Sequence, residues 1–495
     1  MLSRLTRRDF TRSCLALVGG AALGRSGSAE TRIQSGTLLG RIRPRPSRAI
    51  GASSLSIGFE TLDRRMFDPQ RTYPHLAELG VKWARVQTGW ARCETAKGQF
   101  DFTWLDEIVD SLLRIGIQPW FNVGYGNRLY TPAAPDVTAV GWTPMGTEEG
   151  RQAWRRFVGA LAGHFGRRVR HYEIWNEPTE GWFWRPGKPS PTDYVQLVRL
   201  SAPEIRTRVP QSVIVGGALS GMPTEFLTRC LELGIADCAD RISYHPYQVV
   251  PEKGYAEKVT AWRQLLARYK PSLGLWQGEC GCPSQEGSVG ALGTAHWNET
   301  RQAKWLLRRV LIDLGLKLEL TSYYNVVDQL RYNWAGGPEA SMSEKARQKG
   351  FGAYFGVLRG TDYSRKPSFT AYQTLCALFD VRTEQVEMPV DFHVPQAPGE
   401  LVAADKICHA TFARNGRPLC AYWWPADVQR DFALRPVDVT LDTGRLGLVQ
   451  PVLVDLLTGE VRRVDGTQKA GRWTWPALPL TDHPMLVTDA SVAVM

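Results

Sequence analysis

Short apolar runs rich in β-branched and aromatic residues recur along the first three quarters of the chain. They occupy 54–59 (SLSIGF), 81–87 (VKWARVQ), 117–124 (IQPWFNVG), 169–177 (VRHYEIWNE), 212–218 (SVIVGGA), 241–247 (RISYHPY), 273–279 (LGLWQGE) and 318–326 (LELTSYYNV). Between them the apolar spacing changes to the helical period. In 102–116, Leu105, Ile108, Val109, Leu112 and Leu113 fall on one face, and the pattern stops at Gly116. Stretches 149–166 and 301–315 behave alike, each closing on a glycine, and 366–379 supplies a last helix. Strands alternating with helices imply parallel βαβ units, and eight units in about 330 residues predict a (β/α)₈ barrel over 51–380. The first strand is followed by ETLDRRMFDPQ rather than a glycine-rich phosphate turn, which disfavours an open nucleotide-binding sheet. From 381 to 495 the pattern becomes short alternating strands with turn signals, including a hairpin around Asn415-Gly416, and predicts an all-β, sandwich-like domain.

Charge sharpens the picture of the N-terminus. The net charge is +11, but residues 1–50 carry ten arginines against Asp9 and Glu30, so the body of the chain is close to balanced. No basic stripe suited to nucleic acid stands out on the folded part. Arg7-Arg8 precedes a short run rich in Ala and Gly, which resembles a twin-arginine export signal cleaved near Ala29. The run is too short to anchor the chain in a bilayer. The expectation is a periplasmic or secreted protein with a leader at 1–29 and a basic Pro/Arg linker at 30–50. A chain that folds before leaving a reducing compartment does not depend on disulfides, so the eight cysteines beyond Cys14 read as small buried apolar residues, Cys230 and Cys238 being the pair to check. No Cys-x-x-Cys occurs, and His245 has no second ligand at metal spacing, so no cofactor or metal is expected.

In a barrel of this kind chemistry sits at the C-terminal ends of the strands. Those ends offer Arg85 and Gln87, Asn122, Asn176 and Glu177, His245 and Tyr247, Gln277 and Glu279, and Tyr323, Tyr324 and Asn325. Two carboxylates, Glu177 on the fourth barrel strand and Glu279 on the seventh, suit two-carboxylate work on an acetal: retention at about 5 Å separation, inversion at about 6.5–9.5 Å. Glu286 and Glu299 are fallback nucleophiles, and Glu94 reads as part of a polar loop. The 18 tryptophans matter because aromatic faces stack on sugar rings; Trp90, Trp142, Trp182, Trp184, Trp297 and Trp334 fall in or beside loops at the barrel mouth. A strand period of two puts Glu173, Trp175 and Glu177 on one face, with Glu173 roughly 13 Å deeper than Glu177. Glu173 then reads as a buried structural partner for Arg85, with a tryptophan layer between the two acids.

The segments EIWNEP, SYHPY and LWQGECG resemble clan A of the glycoside hydrolases. WNEP…GWFW…Y, with Asn176, Glu177, Pro178, Phe183, Trp184 and Tyr194, is most similar to family 39, with families 5 and 30 close by. The resemblance covers roughly 50–380. It implies Glu177 as general acid/base and Glu279 as nucleophile of a retaining enzyme acting on a β-linked glycan or glycoside. Asn176 would hold the sugar 2-hydroxyl, Tyr247 and Arg85 would orient Glu279, and His245 would support the same wall. Trp184 and Tyr324 complete the expected sugar-binding set, although Tyr323-Tyr324 stands where many members place a tryptophan. A carbohydrate-binding protein without turnover and a transglycosylase are the rival readings.

Overall fold

The computed structural model describes residues 33–332, 352–395 and 404–495. The leader at 1–29 and Trp334 lie outside them. After an N-terminal strand β1 (Thr37–Arg41), the eight apolar runs form β2 (Leu55–Gly58), β3 (Trp83–Gln87), β4 (Gln118–Val123), β5 (His171–Ile174), β6 (Val213–Ser220), β7 (Arg241–His245), β8 (Gly274–Cys280) and β9 (Thr321–Tyr323). These eight strands are parallel and close into a barrel, β9 pairing with β2. The helices between them are α1 (Tyr73–Leu79), α2 (Trp90–Cys93), α3 (Thr103–Arg114), α4 (Glu148–Phe165), α5 (Pro191–Arg208), α6 (Thr224–Glu232), α7 (Tyr255–Tyr269) and α8 (Glu299–Gly315), with α9 (Pro367–Leu378) after the last strand.

Local chemistry sets these elements. On α3 the predicted face is the buried one, through Leu105, Ile108, Val109 and Leu112. Helix α4 starts where the Thr147 side chain accepts from Gly150 N, with Glu148 and Glu149 in the first turn. Helix α5 starts at Ser190, whose side chain accepts from Asp193 N, with Pro191 in the first turn. The barrel is plugged at its lower end by Trp120, Val215, Trp276 and Leu320, with Trp83 and Val213 against them. Any ligand must therefore enter from the strands' C-terminal ends.

The C-terminal region is two antiparallel sheets. Its strands are β10 (Thr383–Gln385), β11 (Val390–His393), β12 (Cys408–Arg414), β13 (Arg417–Trp423), β14 (Arg435–Asp442), β15 (Pro451–Asp455), β16 (Glu460–Arg463), β17 (Thr467–Lys469), β18 (Arg472–Leu480) and β19 (Met485–Asp489). One sheet runs β1-β16-β15-β19-β13-β12-β10, the other β11-β14-β18-β17. The predicted hairpin joins β12 to β13, with Asn415 (φ 50°) and Gly416 (φ 74°) both in the left-handed region its tight turn requires. Strand β13 is buried on both faces: Leu419, Ala421 and Trp423 join the barrel core, while Cys420 and Tyr422 face the second sheet. That double burial makes it read as one continuous apolar run.

The segment at 30–50 differs from the expected linker. Thr37–Arg41 pairs with β16 as the edge strand of the larger sheet, and Arg45 reaches Asp380 at the barrel's end. Arg382 and Arg414 meet the same carboxylate, so one buried acid ties the N-terminal segment, the barrel and the sandwich together. No alternation marks 37–41 as a strand because none of its residues is buried at this sheet edge, so neither face demands apolar side chains. The eight cysteines among the described residues are free thiols, Cys230 and Cys238 included, and six are buried.

Candidate active site

Strand β5 ends at Ile174, and the chain leaves it through two non-glycine residues in the left-handed region, Trp175 (φ 70°) and Glu177 (φ 45°). Such conformations cost about 1–3 kcal/mol each and persist only where their surroundings impose them. Trp175 N–H is held by Val123 O and Glu177 N–H by Ala218 O, at 3.0 and 2.8 Å. This turn breaks the period of two. Trp175 does not lie between the two acids; it packs away from them against Trp154 of α4, Tyr125 and Trp184, and its indole N–H donates to Phe183 O. Asn176 takes the inward position instead. Glu173 is the buried partner of Arg85, as expected, and the same guanidinium links it to the turn: Arg85 Nη2 donates both to Glu173 Oε2 at 2.6 Å and to Asn176 Oδ1 at 2.8 Å.

Above that link opens a cavity of about 510 Å³, lined among others by Asn176, Glu177, His245, Tyr247, Glu279 and Tyr324. Six of the eight residues expected at the site are thus brought together on its wall. Arg85 is not on the wall; it is wholly buried beneath it and acts on Glu279 from behind. Trp184 is a correction. It is 2% exposed and packs edge-on against Trp175 and Tyr194, filling the slot that the outward turn of Trp175 creates. Of the six expected tryptophan platforms, Trp182 lines the cavity, 67% exposed. Trp90 and Trp297 are buried, and Trp142 does not reach the wall. Their large apolar faces are used in packing, and the cavity's aromatic lining is instead Tyr125, Phe183, Tyr247, Tyr324, Tyr332 and Phe355.

Glu279 is held at both oxygens. Tyr247 Oη donates to Oε1 at 2.7 Å, and Arg85 Nη1 donates to Oε2. Burial acts to raise this carboxyl, but His245, Arg85 and Tyr247 outweigh it and hold Glu279 below the ordinary carboxylate value. Glu177 has a poorer set. His245 Nδ1 lies 2.9 Å from its Oε1, and burial, reinforced by the charge on Glu279, pushes Glu177 above the ordinary value despite that contact. Two glutamates of equal intrinsic acidity are thereby pushed apart, one toward carboxylate and one toward carboxylic acid.

Glu177, His245 and Glu279 turn three ligand atoms to within 4.8 Å of one another. Coming from β7, β8 and the turn after β5, they show no metal-ligand spacing in sequence. A cation could sit among such atoms, yet both Glu279 oxygens already accept from donors and the Arg85 guanidinium supplies positive charge there. The arrangement is better matched to moving a proton than to holding a metal.

The other acids separate cleanly. Glu94 is buried and accepts from Trp90 Nε1, Gly98 N and Tyr130 Oη at 2.5–2.6 Å, a structural role. Glu286 pairs with exposed His296, and Glu299 with Arg359. The wall also contains residues the sequence reading passed over: Glu60, Thr61 and Arg64 after β2, Tyr125 after β4, and Glu180. Glu60 could have been found. It immediately follows the first barrel run, and the rule used for the other strand ends points to it.

Residues 78–271, which contain the Asn176-Glu177 turn, His245 and Tyr247, match the family model for glycosyl hydrolases family 39. Over that stretch the chain is similar to family 39. A β-xylosidase of Geobacillus stearothermophilus is 29% identical over 162 residues, 30% of this chain and 31% of that protein; the chain thus spans about a third of the length of this curated relative. The family-39-like barrel and its sandwich also share the fold of a family 39 glycoside hydrolase from the gut symbiont Bacteroides cellulosilyticus WH2, with a TM-score of 0.63 and 19% identity over 90% of this chain and 81% of that one. A family 39 β-xylosidase from Caulobacter crescentus superposes with a TM-score of 0.57 and 17% identity, over 92% of this chain and 99% of that one.

Proposed function

We propose that the chain is a retaining O-glycosyl hydrolase acting on a β-linked glycoside or glycan, with Glu279 as nucleophile and Glu177 as general acid/base. The observation that carries this reading is the pair of carboxylate oxygens within 4.8 Å in opposite electrostatic settings. That spacing suits direct attack; a hydrolytic water between the two acids needs about 6.5 Å or more. In the first step Glu279 Oε bonds to the anomeric carbon while the bond to the leaving oxygen breaks and Glu177 gives that oxygen its proton. Esterification removes the charge on Glu279, so Glu177 loses one of the influences raising it and can take a proton from water. The water oxygen then displaces Glu279, and both carboxyls return to their starting states. Asn176, with Oδ1 held by Arg85, has its Nδ2 amide to offer a sugar hydroxyl. Trp182 and Glu180, which follow Glu177 in the chain, line the same cavity and would meet the sugar or its leaving group there.

Nuclear magnetic resonance of the first-formed sugar tests the stereochemistry. With an aryl β-glycoside panel that includes the xyloside, the β-anomer is expected to appear first and to mutarotate later. Initial release of the α-anomer would overturn the assignment of Glu279 as nucleophile. The reading extends to export, supported by Arg7-Arg8 ahead of its short apolar run. Replacing both arginines by lysine is expected to retain the protein in the cytoplasmic fraction; unchanged periplasmic or secreted yield would refute the export route.

A further inference from the structure

Arg85 meets more acid than its single charge balances. Its buried guanidinium contacts Glu173, Glu279 and, through Nη1 at 3.2 Å, Glu60 Oε2. Three ionised carboxylates around one buried cation would leave net negative charge away from water, which is costly. The donors show which two carry the charge. Glu173 accepts from Arg85 Nε and Nη2, Asn122 Nδ2 and Ser243 Oγ. Glu279 accepts from Arg85 and Tyr247. Glu60 has the Arg85 contact alone, and its Oε1 has no hydrogen-bond partner; that oxygen rests over Gly58, where a Cβ would come within 3.0 Å of it. Glu60 is 2% exposed and lines the cavity that holds Glu177 and Glu279.

The charged and titratable groups facing Glu60 are Arg85 on β3, Glu173 on β5 and Glu279 on β8, with the phenols of Tyr324 and Tyr332 beyond β9. Burial, reinforced by the Glu279 charge, pushes the Glu60 carboxyl well above the ordinary value despite Arg85. One of those causes is removed during the reaction proposed above.

We propose that Glu60 is a positioning residue that holds a proton while Glu279 is a free carboxylate and gives it up when Glu279 is esterified, so that Arg85 keeps two carboxylates in both states. The inference rests on the glycosidase reading. In the first step Glu279 Oε–C1 forms and the bond from C1 to the leaving group breaks. Glu279 no longer carries charge, and the Glu60 proton passes to water in the cavity. Arg85 then balances Glu173 and Glu60 in place of Glu173 and Glu279. When water releases Glu279 as a carboxylate, Glu60 takes a proton back from solvent. Arg85 therefore stays anchored between Glu60 and Glu279, in place to receive the returning charge.

The test is proton release on trapping, followed with a pH indicator in weak buffer. The probes are 2-deoxy-2-fluoro-β-glycosyl fluorides (xylosyl, glucosyl and galactosyl), with labelling counted by intact mass. In the wild type, protons are expected to appear in solution with the ester, some from Glu177 and some from Glu60. Glu60→Gln is expected to label stoichiometrically but to release up to one proton fewer per label across the pH range scanned. Glu60→Asp, which restores an ionisable group, is expected to return the release toward the wild-type value. Equal release per label from wild type and Glu60→Gln at every pH would overturn the proposal while leaving the glycosidase reading intact. Failure of the wild type to label with every probe would sink that reading, and this inference with it. If Glu60→Gln fails to fold, the comparison passes to Glu60→Ala, which also removes the titrating group: release per label equal to the wild type at every pH would likewise overturn the proposal.

Discussion

Replacing Glu279 by alanine is expected to lower turnover by at least about 10⁴-fold, the scale seen when a covalent nucleophile is removed. No other carboxylate is held by both Arg85 and Tyr247. Glu60 lines the same cavity with the Arg85 contact alone, and Glu173 lies below, saturated with four donors. The loss should not be one of folding. Arg85 faces three carboxyl groups, and with Glu279 deleted the guanidinium stays paired with Glu173 and Glu60. The melting temperature of Glu279→Ala should accordingly equal or exceed that of the wild type. Residual turnover above a few per cent of wild type, or a fluoro-sugar label mapping to another peptide, would refute Glu279 as the nucleophile.

The second large effect is at Glu177, and it should depend on the leaving group. Protonation by a general acid contributes about 10²- to 10⁴-fold where the departing oxygen is basic. Glu177→Gln should therefore lose about that much on alkyl or sugar leaving groups while keeping the first step on 2,4-dinitrophenyl glycosides, whose leaving group needs no proton. The second step loses its base, so the glycosyl ester should accumulate, and azide, which needs no deprotonation, should rescue it. The pH profile follows the directions of the two shifts. Glu279 is held below the ordinary carboxylate value and must be ionised, so kcat/KM rises with pH as it deprotonates. Glu177 is pushed above that value and must be protonated, so kcat/KM falls once pH passes it. The wild-type profile is a bell spanning the gap between them. Glu177→Gln on the dinitrophenyl substrate should keep the acid limb and lose the alkaline one; an alkaline limb that persists unchanged would assign it to another group.

Much of this protein could be read without coordinates, for reasons that differ between elements. The barrel strands are buried on both faces, so each appears as a compact apolar run, and all eight lie where those runs lie. Glu177 and Glu279 were visible because the ends of such strands must carry whatever chemistry the barrel performs. The place of Trp184 is not legible in the sequence, because a tryptophan beside such a motif can face a sugar or a core and local sequence does not distinguish the two. The turn at Trp175 decided it by opening a slot behind the site. Strand β1 carries no strand pattern because it is an unburied edge strand, and its pairing with Glu460–Arg463 comes from the far end of the chain.

The sequence by itself determined the alternation of strand and helix, the change to a β domain near 381, and which two glutamates end the fourth and seventh barrel strands. Those are properties of local period and order along the chain. Only the tertiary structure decided that Glu177 and Glu279 approach within 4.8 Å, that His245 sits between them, and that one buried guanidinium serves Glu60, Glu173 and Glu279 at once. The physical reason is that a carboxyl's acidity depends on what lies within a few ångströms of it. Closure of the barrel brings together, within that distance, residues separated by as many as 219 positions.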